Sequence, residues 1–260
     1  MRPLITLTSD FGLRDPFAGI MKGVILSINP EARLIDLTHQ VESYDILDAA
    51  LVLAQSYLYF PQGTIHLLVV DPGVGSERRP ILASTSGAHF VGPDNGVFEM
   101  VYQREPAVEV RHVTAEEYFR KPVSQTFHGR DIFAPVAGWL STGVEPAKLG
   151  PVITDYVRLR VAKPQRASAS MIRGAVLRTD KFGNLITNFG AEHLAPGVSF
   201  CLLIGGHRVT RLVTSYSAGA PGELFAIIGS AGFVEIAARQ TSAADMLQLG
   251  AGAEVKLVLN

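Results

Sequence analysis

Asp71 and Arg78 stand in one stretch, TIHLLVVDPGVGSERR, which runs from Thr64 to Arg79. An ionised carboxylate can hold and orient a water molecule, and a guanidinium can grip that carboxylate through a planar fork of donors. Pro72, Gly73 and Gly75 lie between the two, so neither a continued strand nor an immediate helix fits there. An acid at the carboxyl end of a central strand, followed by a Gly-rich turn and basic residues, is where open α/β sheets place ligands. Asp10 repeats the pattern just beyond Leu4 to Thr8. His128 adds an imidazole that a helix start would keep neutral and able to accept a proton. Each residue also has a plainer use. Taken singly, Asp71 caps a turn, Arg78 is solvated, and His128 caps or packs.

The elements around these residues follow from periodicity. Ile65 to Val70 is an apolar run without helical period, as in a strand buried on both faces. Leu4 to Thr8 and Arg33 to Leu37 are two further strands. Between them, Phe17, Ile20, Met21, Val24, Ile25 and Ile28 recur at helical spacing, with Asp15 as the expected cap and Pro16 as the first helical residue. Asp45 is placed to cap a second helix through Ile46, Ala49, Ala50, Leu53 and Tyr57. Strand, helix, strand, helix, strand predicts an α/β domain with a mostly parallel sheet. Ile81 to Thr85 and His89 to Val91 read as a strand pair, Phe98 to Tyr102 as helical and Val108 to Val113 as extended. Phe133, Val136, Ala137 and Leu140 define one more helix, with His128, Gly129 and Arg130 at its start.

Beyond VAKPQRASAS, Val161 to Ser170, the texture changes. Short apolar or alternating runs (171–177, 198–204, 209–214, 223–228, 233–238 and 254–259) are separated by Gly, Asn and Ser turns. These predict a small all-β barrel. The expected domains are 1–163, α/β, and 164–260, β-barrel.

Totals narrow the function. Among the 260 residues 47% are hydrophobic and 18% charged, which fits a folded globular chain, and a net charge of -1 offers no footprint for nucleic acid or anionic lipid. The single cysteine excludes an intrachain disulfide and a cysteine-rich zinc site and suits a reducing cytosol. The apolar run before Asp10 is too short for a signal peptide, and no apolar segment approaches the roughly 20 residues of a membrane helix. A soluble, cytoplasmic protein is expected.

Some motifs mislead. DFG at Asp10 to Gly12 and HGRD at His128 to Asp131 occur in the reverse of kinase order, and GVG at Gly73 to Gly75 lacks the third glycine of a dinucleotide loop. Asp10, Asp71, Asp94, His39 and His128 could in principle bind metal for a phosphoesterase, but none shows paired ligand spacing.

Taken in order, TSDFG, DLTH, SYD, FPQGTIHLLVVDPGVGSERR, GPDNG, FHGRD, DKFGNLITN and GSAGFVEIA resemble one family from about Thr8 to Gln240. It is the S-adenosyl-L-methionine hydroxide adenosyltransferases, relatives of the fluorinating and chlorinating enzymes that attack the same substrate. The resemblance implies hydrolysis of S-adenosylmethionine to adenosine and L-methionine without cofactor or metal. It also implies a homotrimer whose sites lie between the N-terminal domain of one subunit and the C-terminal barrel of the next. Carried over, Asp71, Arg78 and His128 are the catalytic set and Asp10 the ribose-binding acid. Tyr44 lies against the sugar and methionine side, and Asp180 receives the methionine ammonium. Phe182 and Tyr216 sandwich adenine, Asn184 reads its edge, and Ser230 stands near the methionine carboxylate. Phe127 and Gly129 complete the substrate-binding residues. Fluorinating relatives carry a tyrosine at the position of Asp71 and a serine at that of Gly129. A carboxylate beside a halide is electrostatically unfavourable, so Asp71 favours water as nucleophile. Asp71 and Arg78 are expected to hold that water, with His128 as the candidate proton acceptor. A halide transferase or a non-catalytic S-adenosylmethionine sensor are the alternatives.

Overall fold

A computed structural model describes residues 3–194 and 199–259. The chain divides into two compact units, Met1–Leu159 and Arg160–Asn260. The first holds β1 (Leu4–Ser9), α1 (Phe17–Ile28), β2 (Arg33–Thr38), α2 (Ile46–Ser56), β3 (Thr64–Val69), β4 (Pro80–Ser84), β5 (Ala88–Pro93), α3 (Glu99–Arg104), β6 (Glu109–His112) and α4 (Ala134–Ser141). Its six-stranded sheet has the order β2-β1-β3-β5-β4-β6. β2, β1, β3 and β5 pair in parallel, while β4 runs antiparallel to both β5 and β6. The sheet is therefore mixed, because the hairpin of β4 and β5 inserts β5 beside β3.

β3 is buried along its whole length, as its uninterrupted apolar run requires. Alternate residues serve opposite layers. Ile65, Leu67 and Val69 pack with Met21 and Ile25 of α1 and Val136 and Ala137 of α4. Leu68 and Val70 face Ala49 and Leu53 of α2 and Val101 of α3. Complete burial of Met21 and Ile25 is worth about 1.5–3 kcal/mol each, so α1 is held by its apolar stripe. Asp45 caps α2 by accepting from the Asp48 N–H at 2.9 Å, as expected. At α1 the cap is Pro16, and no side chain caps the helix, so Asp15 does not take the role its position suggested.

The second unit contains β7 (Gln165–Arg166), β8 (Met171–Thr179), β9 (Leu185–Gly190), β10 (Phe200–Ile204), β11 (His207–Val209), β12 (Leu212–Val213), β13 (Leu224–Ile228), β14 (Phe233–Ala238), α5 (Ala243–Leu247) and β15 (Glu254–Leu259). Val198, expected at the start of a strand, lies outside the described residues. The sheet path runs β11-β10-β15-β8-β9-β14-β13-β12, with β7 beside β8. It is open between β11 and β12 among the described residues, and α5 interrupts the strands. An all-β, closed barrel is thus a finer description than this curled sheet supports. Leu185, Phe189, Val234, Ile236 and Leu257 fill its main core.

No helix among the described residues is long and apolar enough to cross a membrane.

Candidate active site

The first unit brings three of the expected residues into direct contact. Asp71 follows the end of β3, and the chain reverses at once: Val74 N–H donates to the Asp71 carbonyl at 3.1 Å, and Ser76 N–H to that of Gly73 at 3.1 Å. Gly75 sits at φ +78, and any Cβ there would strike the Gln125 carbonyl, so this loop can lie against the segment leading to His128 only with glycine. The reversal returns Arg78 to Asp71. Its Nε donates to Oδ1 at 2.8 Å and its Nη2 donates to Oδ2, a bidentate clamp. The side chains are 9% and 6% exposed, so both charges are buried with each other as counter-ion. The guanidinium also stacks 5.0 Å over Phe133. The adjacent Arg79 turns elsewhere, to Asp94 at 2.9 Å and to Asp155 at 2.9 Å, and serves the fold.

His128 immediately precedes a π-turn, Gly129–Phe133, that leads into α4. Arg78 Nη2 donates to its Nδ1 at 2.8 Å. Guanidinium has donors only, so Nδ1 must accept and a neutral ring carries its proton on Nε2. Burial and then the Arg78 charge hold His128 below the ordinary value of 6.5, against the opposing pull of Asp71, Asp131 and a backbone hydrogen bond at Ser124. The expected neutrality is present, with causes other than a helix dipole. The expected role as proton acceptor meets an obstacle, because the Nδ1 lone pair is already engaged by Arg78. Asp131 is buried and accepts from Arg130 and from the Ser124 N–H, a structural use.

Asp10, just past β1, accepts from the Tyr44 N–H at 2.9 Å through Oδ2. Its Oδ1 has no hydrogen bond among the described residues. Tyr44 is exposed and adopts φ +66 where its N–H meets Asp10. The loop is braced from below, with His39 between the Ser9 hydroxyl at 2.7 Å and Asp36 at 3.0 Å. A cavity of 540 Å³ opens here, lined by Asp10, Tyr44, Asp71, Phe127, His128 and Gly129, a volume suited to a small molecule. Phe11 and Phe17 also line it and pack edge-on to Phe127 at 5.9 and 5.3 Å. Sequence reasoning missed that use of them, since Phe17 reads as one more residue of a helix face. The dispersed candidates for metal are accounted for by protein partners: Asp94 by Arg79 and the Val157 N–H, His39 by Ser9 and Asp36.

The second unit has its own cavity of 580 Å³, lined by Asp180, Phe182, Asn184 and Tyr216. In the turn from β8 to β9, Asp180 Oδ1 accepts from the Phe182 and Asn184 N–H groups at 2.8 and 2.9 Å. Asn184 Nδ2 donates to Oδ2 at 2.8 Å. A carboxylate can only accept, so this contact fixes the amide orientation and leaves Asn184 Oδ1 as its remaining acceptor. Ser230 is exposed in the turn between β13 and β14 and is not among the residues lining this cavity. Gln240, Thr241 and Ser242 line it instead. The available signal was the S-x-x-D pattern: Ser242 caps α5 by accepting from the Asp245 N–H at 3.0 Å.

A buried carboxylate–guanidinium clamp at the carboxyl end of a central strand, its carboxylate lining a cavity of metabolite size, has the form of a small-molecule site. Two family models match, the SAM hydroxide adenosyltransferase N-terminal domain over residues 5–150 and its C-terminal domain over residues 174–256. The chain belongs to the SAM hydroxide adenosyltransferase family. It is similar to proteins named (R)-S-adenosyl-L-methionine hydrolase from Salinispora tropica, 36% identical over 98% of this chain and 97% of that one, and from Thermus thermophilus, 36% identical over 99% and 100%. The crystal structure of an uncharacterized conserved protein from Thermotoga maritima matches with TM-score 0.90 and 35% identity, covering 98% of this chain and 99% of that one.

Proposed function

We propose that this chain hydrolyses S-adenosyl-L-methionine to adenosine and L-methionine, with water attacking the ribose 5′ carbon. The observation that carries the reading is the Arg78 clamp on Asp71, which lines the first cavity, in a chain matched end to end by hydrolases of this substrate. In the reaction a water oxygen bonds to the 5′ carbon, the carbon–sulfur bond breaks, and its electron pair neutralises the sulfonium. The leaving thioether is neutral, so no general acid is needed. Each Asp71 oxygen gives one lone pair to Arg78 and keeps another for the attacking water. The water's proton becomes strongly acidic as the new bond forms, so a weak base suffices, and Asp71 is assigned to take it. His128 orients Arg78. Asp71 also places negative charge where a halide would sit, which favours water over halide.

Asp10, through Oδ1, is assigned to the ribose hydroxyls, with Tyr44, Phe127 and Gly129 around the sugar. Asp180 has used three of its four acceptor sites within its own turn, and the fourth is assigned to the methionine ammonium. Asn184 Oδ1 can accept from the exocyclic amine of adenine between Phe182 and Tyr216. Ser230 remains the proposed neighbour of the methionine carboxylate. No cofactor or metal enters this scheme.

The finer assembly is also a proposal: a cytoplasmic homotrimer in which the first-unit cavity of one subunit and the second-unit cavity of its neighbour share one substrate. The separation of acid–base groups and adenine-binding groups into two cavities supports it. At substrate too dilute to saturate a weak-binding Asp180→Ala subunit, mixing it with inactive Asp71→Ala subunits should raise activity above that of either alone if sites are shared, and no gain on mixing would refute sharing. Chromatography of S-adenosylmethionine incubated with the protein tests the activity itself. Adenosine and methionine are expected, and 5′-halo-adenosine or unchanged substrate would overturn the reading.

A further inference from the structure

We infer that Glu235, a residue with no role in the scheme above, is a positioning residue that fixes Tyr216 at the second-unit cavity. The inference rests on the proposed reading of that cavity as the adenine site. Glu235 lies in β14 between Val234 and Ile236, which are both 0% exposed in the core. A register shift between Phe233 and Glu235, opposite β9, re-aims the strand there. Glu235 points to the other face and is itself only 8% exposed. A carboxylate in that position costs free energy unless it receives hydrogen bonds. Among the described residues, the bond it receives comes from the Tyr216 hydroxyl, at 2.8 Å to Oε2.

Tyr216 has little else to hold it. It begins a single 3-10 turn, Tyr216–Ala218, and its side chain is partly exposed. The hydroxyl bond therefore pins the ring at its far end, in a residue that lines the cavity. The other side of the carboxylate is shaped for it as well. A Cβ at Gly229 would collide with Glu235 Oε1, so the carboxylate packs against the bare backbone of the GSAG turn and would have to shift if that residue carried a side chain. Glu235 thus bonds Tyr216 on one side and packs against the turn carrying Ser230 on the other. Burial raises the Glu235 pKa, with Asp180 adding to it and the Tyr216 bond opposing it, while burial and Glu235 raise that of the Tyr216 phenol. The pair is coupled in both directions.

The test uses Glu235→Ala, Glu235→Gln, Tyr216→Phe and the double variant Glu235→Ala/Tyr216→Phe. Loss of one such hydrogen bond should raise KM for S-adenosylmethionine and Kd for adenosine about three- to tenfold, with a smaller change in kcat. The double variant should bind no worse than either single one, because both remove the same bond. Glu235→Gln keeps an acceptor and should recover part of the loss. Additive effects, or a Tyr216→Phe variant that binds like the parent while Glu235→Ala does not, would overturn the anchor. A second readout does not depend on the substrate. With carbon-13 at tyrosine Cζ, the resonance missing from Tyr216→Phe should shift in Glu235→Ala and Glu235→Gln; an unmoved resonance also overturns it. If the parent neither binds adenosine nor turns over S-adenosylmethionine, the reading of the site fails, and the Cζ shift still decides whether Glu235 anchors Tyr216.

Discussion

In the first unit the carboxylate of Asp71 at the cavity and its partner Arg78 are buried as an ion pair, at 6% and 9% side-chain exposure. In the second, the aromatic walls stand open, Phe182 at 77% and Tyr216 at 46%, around an acid already satisfied by its own turn. Under the proposed function, the contrast separates two tasks. Groups that hold a nucleophile gain from being fixed before substrate arrives, since their orientation then costs nothing during reaction. Aromatic faces that bind a flat base are open until the base covers them. Substitutions in the first cavity should therefore damage turnover, and those in the second should damage affinity.

The largest effect that could break this division is at Asp71. Asp71→Asn should lower kcat by about 10²–10⁴-fold, while the calorimetric Kd for adenosine changes far less. Equal losses in both would make Asp71 a binding residue. Next comes His128. If it serves as acceptor for Arg78, His128→Gln should retain roughly tenfold more activity than His128→Ala, because a glutamine oxygen can accept the same bond. If it were the base, the two would be equally impaired.

A pH profile sharpens the same point. The His128 pKa lies below its ordinary 6.5, so the ring is neutral at pH 7, and protonation as pH falls would set an imidazolium against Arg78. kcat/KM should therefore be level near neutrality and fall on the acid side with a midpoint under 6.5; an acid limb centred above 6.5 would contradict the assignment. The smallest effect is expected in the second unit. Phe182→Ala should raise KM about three- to tenfold, with a lesser change in kcat.

Much of this was legible in the sequence because local chemistry and tertiary structure agree. β3 is an apolar run stopped by Asp71-Pro72-Gly73, and α2 starts where Asp45 can cap it. The step from Asp71 to Arg78 already implied a reversal that could bring the two together. What stayed hidden depends on contacts between distant residues. Nothing near Tyr44 announces its φ of +66 or the bond of its N–H to Asp10. Occupation of His128 Nδ1 by Arg78 arises from packing fifty residues apart. The open sheet of the second unit was unreadable for a similar reason, since strand spacing specifies hairpins but not whether the end strands meet.

The central claim, that water is delivered to the ribose 5′ carbon, is most directly tested by running the reaction in oxygen-18 water and weighing both products. The account predicts adenosine carrying one heavy oxygen, at the 5′ hydroxyl, and methionine carrying none. Unlabelled adenosine, or label in methionine, would contradict it.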